Sequence, residues 1–202
     1  MACGTLSAQA PSDSVAADTN SRGTLPFRAG QWGAEVRVFS DAGAGLLRFT
    51  APNRAWMLDV AITADAGNVT DPDGTRRDTR TVFARSRVGL RTYRPLIRRT
   101  GSTSTRAAAY TAFGGFVDGF WRSDEGFLGS RQGSFGLGAF IEAGGSAFVT
   151  DYLALSASGE AAIGGRYDVR TSARLGGGRD KQISREVFAS LGSIRLFASV
   201  FF

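Results

Sequence analysis

Histidine is absent from the 202-residue chain, and cysteine occurs once, as Cys3. The first absence excludes Ser-His-Asp and Cys-His catalysis and every His-ligated metal. The second excludes a disulfide framework and a Cys/His metal site. Lysine is nearly missing as well: of 24 basic side chains, set against 18 acidic ones, only Lys181 is not an arginine. The arginines run from Arg22 to Arg195, interleaved with acids rather than gathered on one face or tail, so the net charge of +6 is not a nucleic-acid footprint and no such partner is expected. No run of about 18 uninterrupted apolar residues occurs, which excludes a helical membrane span but not strand spans, whose apolar signal is diluted at every second residue. A chain of this length can bury its core as one domain of barrel or sandwich size.

Residues 1–10 end in Ala8-Gln9-Ala10, the small-x-small pattern of an export-signal cleavage site, without the basic and apolar regions that precede one. They are read as the remnant of an export signal whose start lies upstream. Residues 11–31, rich in Ser, Asp, Ala and Gly with Pro11 and Pro26, follow no period and are expected to form a flexible leader.

From Trp32 onward the dominant period is two. Residues 152–169 show it most clearly, with Leu153, Leu155, Ala157, Ala161, Ile163, Tyr167 and Val169 on one face and Ser156, Ser158, Glu160, Arg166 and Asp168 on the other. Eight strands are expected, at 32–40, 44–51, 55–64, 79–93, 106–121, 133–149, 152–169 and 183–202. Several are more than twice the usual length of a soluble strand, about five or six residues. Tight turns at Pro52-Asn53-Arg54 and Thr150-Asp151 alternate with long polar connections at 65–78, 122–132 and 170–182, while 41–43 and 94–105 break the alternation. The fold class this predicts is all-β, an eight-stranded antiparallel up-and-down transmembrane β-barrel over residues 32–202.

The apolar faces, such as Trp56, Leu58, Val60, Ile62 and Ala64, are lean and continuous, as lipid-facing bands are. The opposite faces collect Glu35, Arg37, Arg48, Asp59, Arg85, Arg87, Arg91, Asp118, Glu142, Glu160, Arg166, Asp168 and Arg195, a nearly balanced set. Turned inward, these side chains can pair off and plug an eight-stranded lumen, which is only wide enough for side chains. The glycines interleaved on this face fit a place where space is short. A soluble antiparallel barrel with a charged exterior is the alternative. A bulge near Gly192 would invert the face downstream of it.

The segment Ser193-Ile194-Arg195-Leu196-Phe197-Ala198-Ser199-Val200-Phe201-Phe202 is an alternating strand with an aromatic last residue, and Phe148-Val149-Thr150-Asp151-Tyr152-Leu153 reads as a tight turn between two late strands. Over residues 32–202 the sequence resembles the small outer-membrane β-barrels of the OmpA and OmpX type, in which a terminal phenylalanine is read by the barrel-assembly machinery. The resemblance implies localisation in the outer membrane of a diderm bacterium and Phe202 as the assembly signal. It also implies the assembly machinery, outer-membrane lipid and lipopolysaccharide as partners.

The eight-stranded barrels that act as lipid A acyltransferases or deacylases use a catalytic histidine, so no enzyme of that kind is expected. The acid pairs Asp71/Asp73 and Asp124/Glu125 are read as solvated loop acids, the first within the turn sequence Asp71-Pro72-Asp73-Gly74. Asn68, Asp71 and Asp73 offer three oxygen ligands where calcium wants about six or more, and neither metal nor cofactor is expected. Arg174, Arg179 and Lys181, around Gly176-Gly177-Gly178, are candidates for anion contacts with lipopolysaccharide phosphates, against the alternative of a charged hairpin tip. Arg94, Arg98, Arg99 and Arg106 flank the opposite rim, where anionic headgroups lie. Trp32, Trp56, Tyr93, Trp121 and Tyr167 are expected in interfacial aromatic girdles. The expected role is structural or in surface interaction. The alternative is a narrow or lateral passage for small hydrophobic molecules, with an apolar pocket near Phe83, Phe116, Phe120 and Phe140.

Overall fold

Alternation of side chains over stretches of 13 to 23 residues dictates long strands, and six of the nine strands are of this length. The structure, a computed structural model, describes residues 24–39, 42–70, 74, 76–98, 105–125, 129–173, 178–192 and 194–202. Among these there is no helix and there are nine strands: β1 (Trp32–Phe39), β2 (Gly43–Ala51), β3 (Arg54–Thr70), β4 (Arg76–Arg98), β5 (Thr105–Glu125), β6 (Ser130–Phe148), β7 (Leu153–Ala173), β8 (Arg179–Leu191) and β9 (Arg195–Phe201).

All pairings are antiparallel. Neighbours in sequence pair from β1 through to β7, and β9 then bridges β7 to β1, which closes a ring of eight strands. The closing ladder runs from Gly33↔Phe201 to Phe39↔Leu196 on one side of β9 and from Leu153↔Val200 to Ser158↔Arg195 on the other. Short connections made by Pro52-Asn53 and by 149–152 gather at one end, here the lower, together with the start of β1 and Phe202. Trp32 and Phe202 exchange two backbone hydrogen bonds there, at 3.0 and 2.9 Å.

Three expectations are corrected. The strands run further than expected, because the polar residues at 65–70, 76–78, 122–125, 170–173 and 179–182 continue their ladders rather than forming loops. The expected eighth strand is two strands: a break at Gly192–Ile194 separates β8, which pairs Ala161–Ala173 of β7, from β9, which pairs Leu153–Ser158. Even-numbered residues of β8 share the inward face of β7, whereas on β9 the odd-numbered ones are buried, so the break inverts the face. Finally, residues 24–31 of the expected leader are built into the structure: Phe27 is buried, and Gly30 takes a φ of 87°. That left-handed conformation, open to glycine, folds this segment back so that Gly30 donates to the Phe49 carbonyl at 2.8 Å. Residues 1–10 and 11–23 lie outside the described residues.

The strand ring is complete only in its lower part. β2 accompanies β3 no further than Gly43↔Ala61, apart from one hydrogen bond from Ile62 to the Ala42 carbonyl. Among the described residues, β3 along Thr63–Gly67 pairs with β4 alone, and β8 along Gln182–Leu191 pairs with β7 alone. Among the described residues the wall above the β1–β2 hairpin is therefore a six-stranded sheet, β3 to β8, with no strand paired to either outer flank.

Candidate functional site

Inside the ring the side chains stack in three layers. The lowest is aromatic: Phe27 lies 4.2 Å from Phe49, 4.8 Å from both Tyr93 and Phe201, and 5.5 Å from Phe148, centroid to centroid. Edge-to-face and offset packing of this kind adds about 0.5–1.5 kcal/mol per pair beyond burial. The segment after Pro26 thus carries one large apolar side chain into the lower mouth and fills it.

Above it lies the charged layer, contributed by seven strands. Glu142 of β6 and Glu160 of β7 stand directly opposite each other, a like-charge pair that is unfavourable unless cations intervene. Two do. Arg87 of β4 donates to Glu142 at 2.9 Å, to Glu160 and, through its other terminal nitrogen, to Asp59 of β3 at 3.1 Å. Arg195 of β9 donates to Glu160 at 2.7 Å and to Glu142 at 3.4 Å. Arg37 of β1 completes the coordination of Asp59. Just below, Arg91 donates to Glu35 at 2.6 Å and to the Tyr93 hydroxyl at 3.3 Å, while Ser199 donates to Glu35 and Tyr110 to Glu142. All of these charged groups are buried. A buried carboxylate without a partner costs several kcal/mol, and the shared guanidinium groups remove that penalty here.

The third layer opens upward. Arg85 donates to Asp118 at 3.1 Å and lies 3.5 Å from Glu160, and Arg166 approaches the same Asp118 oxygen at 3.8 Å. Arg85 sits over Phe116 at 4.7 Å and Arg166 over Phe188 at 5.1 Å. Crowding sets the sequence here: a Cβ on Gly138 would come within 2.7 Å of Phe116, and one on Gly136 would strike Asp118. Gln132, Arg166, Asp168, Arg170, Gln182, Ser184 and Glu186 line a 340 Å³ cavity at the top of this layer.

The outward faces are the reverse in chemistry. Trp32, Trp56, Leu58, Val60, Ile62, Phe113, Val117, Trp121, Phe135, Leu137, Ile141, Ile163 and Tyr167 are all exposed. On β4 the outward row from Thr92 to Val82 holds Leu90, Val88, Ser86 and Ala84, uncharged throughout and bounded by the exposed Arg94 below and Arg80 above. Trp32, Arg48 and Trp56 form one cross-strand row at the lower edge, with Arg48 over Trp32 at 4.7 Å.

Of the thirteen charged residues expected to face inward, the structure brings eleven into one connected cluster: Glu35, Arg37, Asp59, Arg85, Arg87, Arg91, Asp118, Glu142, Glu160, Arg166 and Arg195. Asp168 is on the same face at the cavity above them. Arg48 is a correction. Strand β2 buries Gly45, Leu47 and Phe49, so Arg48 points outward, exposed, and donates to the Gly30 carbonyl at 2.6 Å. Tyr93 is another, since it is buried in the lower layer rather than set in an outer girdle with Trp32, Trp56, Trp121 and Tyr167. Phe116 and Phe140 are buried inward beneath Arg85 and Arg87. Arg179 and Lys181 are exposed residues of β8 rather than of a loop, and Arg174 lies outside the described residues. So do Asp71, Asp73, Arg99 and the side chains of Arg98 and Glu125, whereas Asp124 is held by Arg122 at 3.0 Å and Ser130 at 3.0 Å. Arg94 and Arg106 are exposed at the lower end. Sequence reasoning missed Phe27, Tyr110 and Phe188; the inward phase of β4 and β5 pointed to Tyr110, whereas nothing periodic surrounds Phe27.

Among the described residues no group of three or more His, Cys, Asp or Glu side chains could hold a metal ion. No protein-family model matches the chain, and no curated protein matches it in sequence. Function has to be argued from the geometry.

Proposed function

We propose that the protein is an integral outer-membrane β-barrel of up-and-down topology, with a structural or surface-interaction role and a lumen plugged by its charged side chains. The observation that carries this reading is the inversion of polarity: ion pairs fill the interior while the exterior is an apolar band. A water-soluble sheet does the opposite, burying its apolar face and solvating its charges. The height of the band agrees. From Arg94 to Arg80 the outward row of β4 spans fourteen residue steps, about 48 Å along the strand and roughly 36 Å after a tilt of about 40°. Arginine stems reaching back from both ends shorten this toward the ~25 Å apolar band of outer-membrane barrels. Trp32 and Trp56 stand at the lower strand ends on this wall, where interfacial aromatics belong. Phe202, with its backbone paired to Trp32, is proposed as the assembly signal, and lipopolysaccharide and phospholipid as the lipids that surround the band.

No catalytic step is assigned. A second reading, lateral passage of small hydrophobic molecules, is favoured by the free flanks of β3 and β8. The test is fractionation of cells expressing the full protein, followed by SDS gels of boiled and unboiled samples. Recovery in the outer-membrane fraction with a heat-dependent shift in migration is expected; recovery in the aqueous fraction without a shift overturns the reading.

A further inference from the structure

The outer wall is not charged alike on all sides. On β6, β7 and β8 the outward residues are the odd-numbered ones, and toward the upper end they include Arg131, Arg179, Lys181 and Arg185, all exposed, and no acid. Asp168, Asp180 and Glu186 are even-numbered and share the inward face. On β4, by contrast, the outward row carries Asp78 beside Arg80. Arg131 stands in one cross-strand row with Thr171 and Lys181; Arg179 is the next outward residue above Lys181, and Arg185 the second below it. From Arg131 to Arg185 is two strand spacings by four residues, about 17 Å, which is wider than one phosphate. Among the described residues no hydrogen bond or ion pair engages any of the four side chains.

Below these cations the same three strands form an apolar trough. Its cross-strand rows include Leu137–Gly165–Val187 and Ile141–Ala161–Leu191, each a small residue between two large ones, and the row between them reverses the order, with Ile163 flanked by two alanines. Two successive cavities of 430 and 680 Å³ follow the trough, the upper one headed by Tyr167 and Arg185. From Arg185 to Leu191 it runs six residues, about 20 Å. A Cβ on Gly165 would meet only the Glu186 carbonyl, at 3.8 Å, so crowding does not demand glycine there as it does at the inward Gly136 and Gly138. A glycine inside a strand is also a place where a ligand can approach closely. Cations without counter-ions at the head of an apolar trough suit an anionic lipid, and their spread suits more than one phosphate.

We propose, resting on the membrane reading, that the outer face of β6–β8 is a binding site for one lipid of the outer leaflet whose head carries two phosphates, the chemistry of lipid A. Arg131, Arg179 and Lys181 hold one phosphate and Arg185 the other, and an acyl chain lies in the trough over Gly165 and Ala161. Arginine presents paired donors to phosphate oxygens, which fixes the head. The lipid is thereby distinguished from those that merely surround the band: it is held at one place and in one copy.

The experiment uses the full protein, delipidated in a mild detergent and shown first to be heat-modifiable, as is each variant. It is titrated with lipid A bearing two phosphates, with lipid A bearing one, and with phosphatidylglycerol, and bound lipid is counted by native mass spectrometry. Saturable retention of one molecule of the two-phosphate form is expected, with the other two lipids at least tenfold weaker. Arg185→Gln is expected to weaken retention at least tenfold and Gly165→Leu, which fills the trough, at least threefold, whereas Arg94→Gln, at the lower end of the outer face of β4, should leave it unchanged. Equal retention of the three lipids, an unaffected Arg185→Gln or Gly165→Leu protein, or no saturable retention overturns the site while the heat shift keeps the membrane reading. Failure of the unaltered protein to show the heat shift overturns both.

Discussion

Three carboxylates, those of Asp59, Glu142 and Glu160, close on the two terminal nitrogens of Arg87, so no other guanidinium among the described residues meets as many buried carboxylates. Arg87→Met keeps the volume and removes the charge. It should destabilise the protein by about 3–5 kcal/mol, the usual cost of breaking a buried ion pair from one side, measured as the urea midpoint of tryptophan fluorescence in lipid vesicles. Arg48→Met, by contrast, alters an exposed outer residue and should change the midpoint by less than about 1 kcal/mol. Equal effects of the two substitutions would remove the distinction between inward and outward arginines. Gly136→Ala tests crowding: the added Cβ meets Asp118, and a loss of about 1–3 kcal/mol is expected in the same assay.

At the scale of elements, the segment 24–31 and strand β8 behave oppositely to what their sequences suggest. The segment has no periodicity, yet Phe27 fills the lower mouth against four aromatic side chains. Phe27→Ala should cost about 3–5 kcal/mol. β8 alternates well, yet among the described residues no strand pairs with one of its flanks. Amides of β8 that do not point at β7 should exchange hydrogen much faster than those of β5, which is paired on both sides; uniform protection across β8 would mean that its outer flank is covered. These cases mark what the sequence made legible. The eight-strand ring, the tight turns at Pro52-Asn53 and Thr150-Asp151 and the inward phase of most strands could be read because an alternation such as Glu142, Gly144, Ser146 against Ile141, Ala143, Gly145 leaves one arrangement of faces, whereas the split of the last strand into β8 and β9 and the length of the ladders could not. The phase of β2 could not, since Arg48 was the one charge in a strand whose buried face, Gly45-Leu47-Phe49, is as apolar as its exposed one. Nor could Phe27, whose burial depends on four strands far from it in sequence.

For the whole molecule, the aromatic layer and the ion-pair layer lie in series along one axis, so solutes moving from mouth to mouth meet two closures. Planar bilayers containing the protein should show no discrete conductance steps in salt, and Phe27→Ala alone should not produce them, because the Arg87–Glu142–Glu160–Arg195 layer remains. Steps in the unaltered protein would contradict the plugged lumen. The sequence made the charge balance of that lumen visible but not its floor, which Phe27 supplies, nor how early β1 and β2 leave the wall.

Closure of the strand ring also fixes an order of events. Ser199 hydrogen-bonds Glu35 across 164 residues of chain, and β9, only seven residues long, must meet both β1 and β7 at once. Contacts of such separation form only after the intervening hairpins have drawn the ends together, since the loop entropy is lost before the pairing is gained. A nascent chain therefore carries two unpaired sheet margins until β9 is made, and a copy lacking its seven residues keeps them. Such edges join to one another between molecules. Loss of β9 is accordingly expected to convert an assembling protein into an aggregating one, an effect out of proportion to the few side chains removed.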